Sequence, residues 1–106
     1  MTPSDSFLAY IQDQFSSCGE VSIRKMFGGA GLFYEGKMFG LIADDQLYFK
    51  VNSHNKADFI AKGMGPFVYE GKKKPVTMSY YQLPEEVLED VDTLREWMDK
   101  ARLGGN

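Results

Sequence analysis

Apolar and polar residues alternate along this chain in two distinct rhythms, and the changes of rhythm mark its elements. Phe7, Ile11, Phe15 and Cys18 recur at helical spacing with Leu8 beside them, which predicts an N-terminal helix whose apolar stripe faces a core. Thr2-Pro3-Ser4-Asp5 offers a Thr cap, Pro at the first helical position and an acid three residues after the cap, and Gly19 is a natural stop. From Val21 the period shortens. Val21, Ile23 and Phe27 stand among Ser22, Arg24 and Lys25, and Gly28-Gly29-Ala30-Gly31 then interrupts. Leu32-Phe33-Tyr34 and Met38 to Ala43 predict two strands joined at Glu35-Gly36-Lys37, and Asp44-Asp45 makes the next turn. Gln46 to Val51 alternates, with Leu47, Phe49 and Val51 on one face and Tyr48 and Lys50 on the other, as in a half-buried antiparallel strand.

Asn52-Ser53-His54-Asn55 supplies caps for a short helix through Ala57, Phe59, Ile60 and Ala61 that closes at Gly63. A second hairpin, Phe67 to Tyr69 with Val76 to Tyr81, turns around Glu70-Gly71 and a lysine run. Leu83-Pro84-Glu85-Glu86 opens a final helical region carried by Val87, Val91, Leu94, Met98 and Ala101, which Asp90-Val91-Asp92 either does or does not divide. The expected fold is α+β: an antiparallel sheet of five to six strands with three helices, in the order helix, three or four strands, helix, two strands, helix. Several strands carry large side chains on both faces, and three helices cover only one face of such a sheet. Aromatic surface is therefore left over, and a homodimer is the expected cover.

A length of 106 residues fits one domain, residues 1–106. One cysteine and one histidine exclude a disulfide scaffold or a His-Cys zinc cluster, and no apolar run is long enough for a membrane helix. A cytoplasmic protein with no membrane association is expected. The formal charge of −3 is unevenly spread. Residues 1–20 and 83–106 are acidic, while residues 21–82 carry nine bases against five acids. Arg24, Lys25, Lys50 and the run Lys72-Lys73-Lys74, with Tyr48, Tyr80 and Tyr81 as stacking partners, form the candidate interaction surface. They are the residues that phosphate contact would need if folding gathered them on one side.

The other candidate chemistry is weaker. The glycine run lacks the following helix of a phosphate loop and is read as flexible backbone at a bend or bulge. Cys18 lies on an apolar stripe and His54 among helix-start residues, so neither is assigned a catalytic role. The carboxylates sit where turns and the helix dipole explain them. No catalytic residue, metal ligand or cofactor is assigned, and a non-enzymatic protein is expected.

Three stretches together resemble the N-terminal domain of the TfoX/Sxy competence regulators: Arg24-Lys25-Met26-Phe27-Gly28-Gly29, Gly36 to Lys50, and Pro66-Phe67 through Met78-Ser79-Tyr80-Tyr81-Gln82-Leu83-Pro84. The resemblance runs from the first helix to about Ala101. It implies a two-layer α+β domain of the kind seen in small secretion chaperones, and a link to transcriptional control of DNA uptake alongside a cyclic-AMP receptor protein. Full-length regulators carry a second, helical domain, so a chain of this length is expected to be a stand-alone member. The resulting expectation is a regulatory or protein-interaction module whose partner belongs to the transcription machinery or its regulators, with weak or no direct DNA binding. A weak nucleic-acid-binding domain using the central basic region is the alternative.

Overall fold

The computed structural model describes residues 4–26, 28–70 and 73–103. Ten elements follow one another: α1 (Asp5–Gln14), β1 (Val21–Met26), β2 (Gly29–Tyr34), β3 (Lys37–Ala43), β4 (Gln46–Lys50), α2 (Lys56–Ala61), β5 (Pro66–Glu70), β6 (Pro75–Gln82), α3 (Glu85–Glu89) and α4 (Val91–Leu103). The six strands form one antiparallel sheet in the order β1-β2-β3-β4-β6-β5. β1 to β4 are a meander. Two of its turns, Glu35-Gly36 and Asp44-Asp45, place both central residues at positive φ, the backbone that tight two-residue hairpins require. After α2 the second hairpin enters so that β6, not β5, pairs with β4.

Four helices are described where three were expected, because the last helical region does divide. Asp90 is extended, and its carboxylate accepts hydrogen bonds from the Asp92 amide and the Thr93 hydroxyl, which caps α4 and ends α3. At the N-terminus Ser4, whose Oγ accepts from the Phe7 amide at 3.2 Å, is the cap of α1. The expected Thr2 and Pro3 lie outside the described residues. α1 ends at Gln14, so Cys18 sits in the turn beyond it, buried all the same. The glycine run is not an interruption: Gly28 makes the turn, and Gly29 to Gly31 are the first half of β2.

All the helices pack on one face of the sheet. Ile11, Phe59, Val87, Leu94 and Met98 from the helices share one core with Leu32, Phe39, Ile42, Leu47 and Phe49 from the strands. At its centre the rings of Phe15, Phe39 and Phe49 lie 5.6–6.2 Å apart in tilted and edge-on contacts. Phe39 reaches this cluster through a bulge. Leu32 pairs with Gly40 and Phe33 with Met38, so Phe39 is the extra residue between them. The C-terminus of α4 is tied down by Arg102, which lies over the Tyr34 ring at 4.1 Å and pairs with Glu35 at 3.0 Å.

Candidate functional site, an open sheet face

The strand registers place a second set of residues on the face away from the helices. Arg24, Gly31, Leu41, Tyr48 and Gln82 form one row across five strands. Ser22, Phe33, Met38, Lys50 and Tyr80 lie toward the end where β4 finishes, and Met26, Gly29, Ala43 and Gln46 toward the other. Large apolar side chains dominate. Met26, Phe33, Met38, Leu41, Tyr48, Phe67, Met78 and Tyr80 are half-buried by one another, and none belongs to the core cluster. Among the described residues no helix lies over them.

Glycine shapes this surface. A Cβ on Gly31 would meet Phe33, Met26 and Met38 at 3.0–3.3 Å, so these three side chains close over a bare patch of β2. A Cβ on Gly29 would press into the carbonyl oxygen of Ile42 at 2.3 Å, so β2 and β3 approach closely only because that atom is missing. Across the sheet Phe67 packs edge-on to Tyr48 at 5.0 Å. Between the β5–β6 hairpin and the meander runs a mostly apolar groove of about 670 Å³, walled by Met26, Met38, Leu41, Phe67, Met78 and Tyr80, with Asp44 at its lower end. Arg24 is 4.9 Å from the Phe33 ring centre, a cation laid over an aromatic face.

The expected interaction residues divide. Arg24, Tyr48, Lys50 and Tyr80 share the open face. Lys73 and Lys74 are exposed just ahead of β6, whose first residues run beyond the end where Lys50 pairs with Tyr80; Gly71 and Lys72 lie outside the described residues. Tyr81 does not join them. It alternates with Tyr80, faces inward, and packs on Phe59 at 6.0 Å, because neighbours on a strand must point oppositely. Lys25 likewise points to the helical side, pairing across to Ala30. Met26, Phe33, Met38, Leu41, Phe67 and Met78 were not singled out as site residues. A run such as Met38-Phe39-Gly40-Leu41-Ile42 does not show which members face inward until the bulge at Phe39 is placed.

Two tyrosines report on this face. Burial raises the pKa of Tyr48 and Tyr80 above the ordinary 10.0, with the Asp44 charge adding to the effect at Tyr48. The folded state thus holds these protons after an unfolded chain would lose them. Their contribution to stability is complete below pH 10.0 and is lost as pH rises past it toward the folded values. An ultraviolet phenolate titration should show a late component that Tyr48→Phe and Tyr80→Phe each diminish. Cys18 is also raised, first by burial, which leaves the neutral thiol as the form present near neutral pH. Among the described residues no three His, Cys, Asp or Glu side chains gather as metal ligands, and no helix is long and apolar enough to cross a membrane.

The geometry defines a two-layer α+β domain with a closed helical side and an apolar sheet side that remains open. The TfoX N-terminal domain family model matches residues 13–103, and the chain belongs to that family. It is 30% identical over 82 residues to the DNA transformation protein TfoX1 of Aliivibrio fischeri, an alignment covering 74% of this chain and 39% of that protein. The chain therefore spans well under half the length of this curated relative.

Proposed function

We propose that this chain is a non-enzymatic regulatory module of DNA transformation that works in the cytoplasm by protein–protein contact through its open sheet face. The observation that carries the reading is the composition of that face: eight large apolar side chains stand outside the core, where a domain with no use for them would place polar ones. Family membership and the name of the relative support the regulatory context. The assembled module in turn acts on a partner of the transcription machinery or its regulators. A chromosomal Leu41→Glu substitution in the native host should lower natural-transformation frequency while the purified variant keeps its far-UV spectrum and a cooperative melting transition. Transformation at the wild-type level with a stably folded variant would refute the reading.

Arg24, Lys50, Tyr48 and Tyr80 on the same face favour one further reading, contact with nucleic acid through stacking and phosphate pairing. The acidic helical layer and the formal charge of −3 oppose it. Duplex DNA should bind no more tightly than the non-specific range, about 10⁻⁴–10⁻⁶ M at physiological salt. Submicromolar, sequence-selective binding by the isolated chain would move the function to that reading.

A further inference from the structure

We infer that the occupant of the open sheet face is a second copy of this chain, packed face to face about a two-fold axis that lies across the strands. The inference rests on the reading of this face as a protein-contact surface and adds what covers it. Three observations lead to it: the size of the face, its apolar centre, and the way its charges are divided between its two ends.

Six strands about 4.8 Å apart and roughly 20 Å long give a face near 500 Å² in projection. Side chains standing off it bring the accessible area toward the ~800 Å² per partner of a standard stable interface. One face thus suffices for a dimer, and a sheet twice covered is the ordinary two-sheet sandwich. Flexible methionines at Met26, Met38 and Met78 let two copies of one surface interdigitate without a pre-cut fit.

Charge selects the orientation. The end where β4 finishes carries Lys50 and, just ahead of β6, the exposed Lys73 and Lys74. Glu35, also at that end, is engaged by Arg102. The opposite end carries the Asp44-Asp45 turn, in which Asp44 borders the open groove while the Asp45 carboxylate accepts from the Ser4 amide at the start of α1 at 2.8 Å. An axis along the strands would keep the two basic ends together at one end of the dimer and the two Asp44-Asp45 turns together at the other. An axis across the strands reverses one copy end for end, so the basic end of each copy meets the acidic end of the other, twice. The surface is self-complementary in that arrangement, as a two-fold interface must be.

Sedimentation equilibrium of the full chain over low to high micromolar concentration tests this, with the 12.0 kDa monomer as reference. The expected result is a species of twice that mass, converted to monomer by Leu41→Glu. A second variant keeps the test open should Leu41→Glu misfold. Lys73→Glu with Lys74→Glu changes only exposed side chains and should weaken dimerisation about tenfold or more at low salt. The added acids then face an acidic end, so Asp44→Asn, which keeps a residue type tolerated at positive φ and leaves the Asp45 bond to Ser4 in place, should recover part of that loss. A wild-type monomer at high micromolar concentration would overturn the inference, as would a dimer untouched by Leu41→Glu in folded form. A dimer indifferent to the lysine reversal would overturn the orientation. Should the wild type be monomeric while Leu41→Glu still abolishes transformation, the dimer fails and the functional reading stands.

Discussion

Phe49→Ala is expected to lower the free energy of unfolding by about 3–5 kcal/mol, the loss typical of removing a buried aromatic ring. Against a total of about 5–15 kcal/mol for an ordinary domain, that is a large share. Phe49 has no exposed surface and stands in the middle of the central strand β4. Its ring meets Phe15 and Phe39, and its neighbours across the sheet are Gly40 and Tyr81. Gly40 lends the ring space but offers no side chain to fill it afterwards, and Leu32 already packs 3.3 Å from where a Cβ on Gly40 would sit. A cavity is therefore left where three rings met. Phe33→Ala removes the same atoms from a half-buried position on the open face and should cost clearly less, since part of that ring already meets solvent. Urea unfolding of the two variants at a concentration where the chain is monomeric gives the comparison. Equal losses would mean that the open face is as much a core as the helical side, and would remove the basis for treating it as a contact surface.

The contrast between these two phenylalanines also shows where the sequence was legible. Element order, strand pairing within the hairpins and the antiparallel sheet all follow from local signals: alternation in Gln46 to Val51, Gly and Asp at the turns, and a 3.6 period from Val87 onward. The surplus of apolar residues on the outer face was readable as a surplus. Its composition was not, because facing depends on register. One bulge at Phe39 decides that Met38 faces out and Phe39 in, and no period marks a bulge in a run that is apolar throughout. The pairing of β6 with β4 was equally hidden, since it depends on where α2 delivers the chain. The basic residues illustrate the same limit. Lys25 and Arg24 are neighbours in sequence and opposite in space, so a cluster counted along the chain becomes two when the strand forms.

Asn55 was legible only as a possible helix cap, and the structure gives it a different task with a measurable consequence. Its side chain is 1% exposed and makes no cap hydrogen bond to α2. Instead Oδ1 accepts from the Asn52 amide at 2.7 Å, and Nδ2 donates to the Lys50 carbonyl at 2.9 Å, closing the chain on itself where β4 ends. Asn52 extends the link. Its Oδ1 accepts from the His54 amide, and its Nδ2 donates to the carbonyls of Lys100 and Ala101, among the last four of α4, which have no partner within the helix. Two asparagines thus join the central strand, the start of α2 and the end of α4. Asn55→Ala strands a backbone donor and a backbone acceptor together, away from bulk water, and should cost about 2–4 kcal/mol. Asn55→Asp should cost at least as much: it keeps the acceptor for Asn52 but points a second oxygen at the Lys50 carbonyl and buries a charge. Asn52→Ala should lose only about 1 kcal/mol, because its partners lie nearer the surface and water can replace the amide. Urea unfolding ranks the three variants, and hydrogen exchange at the Asn52 amide reports the same link directly. That amide should exchange faster in Asn55→Ala than in the wild type under conditions where both are folded. A variant within about 0.5 kcal/mol of the wild type, the range of an ordinary surface change, would mean that solvent reaches this corner and that the two asparagines do not hold the strand to the helices.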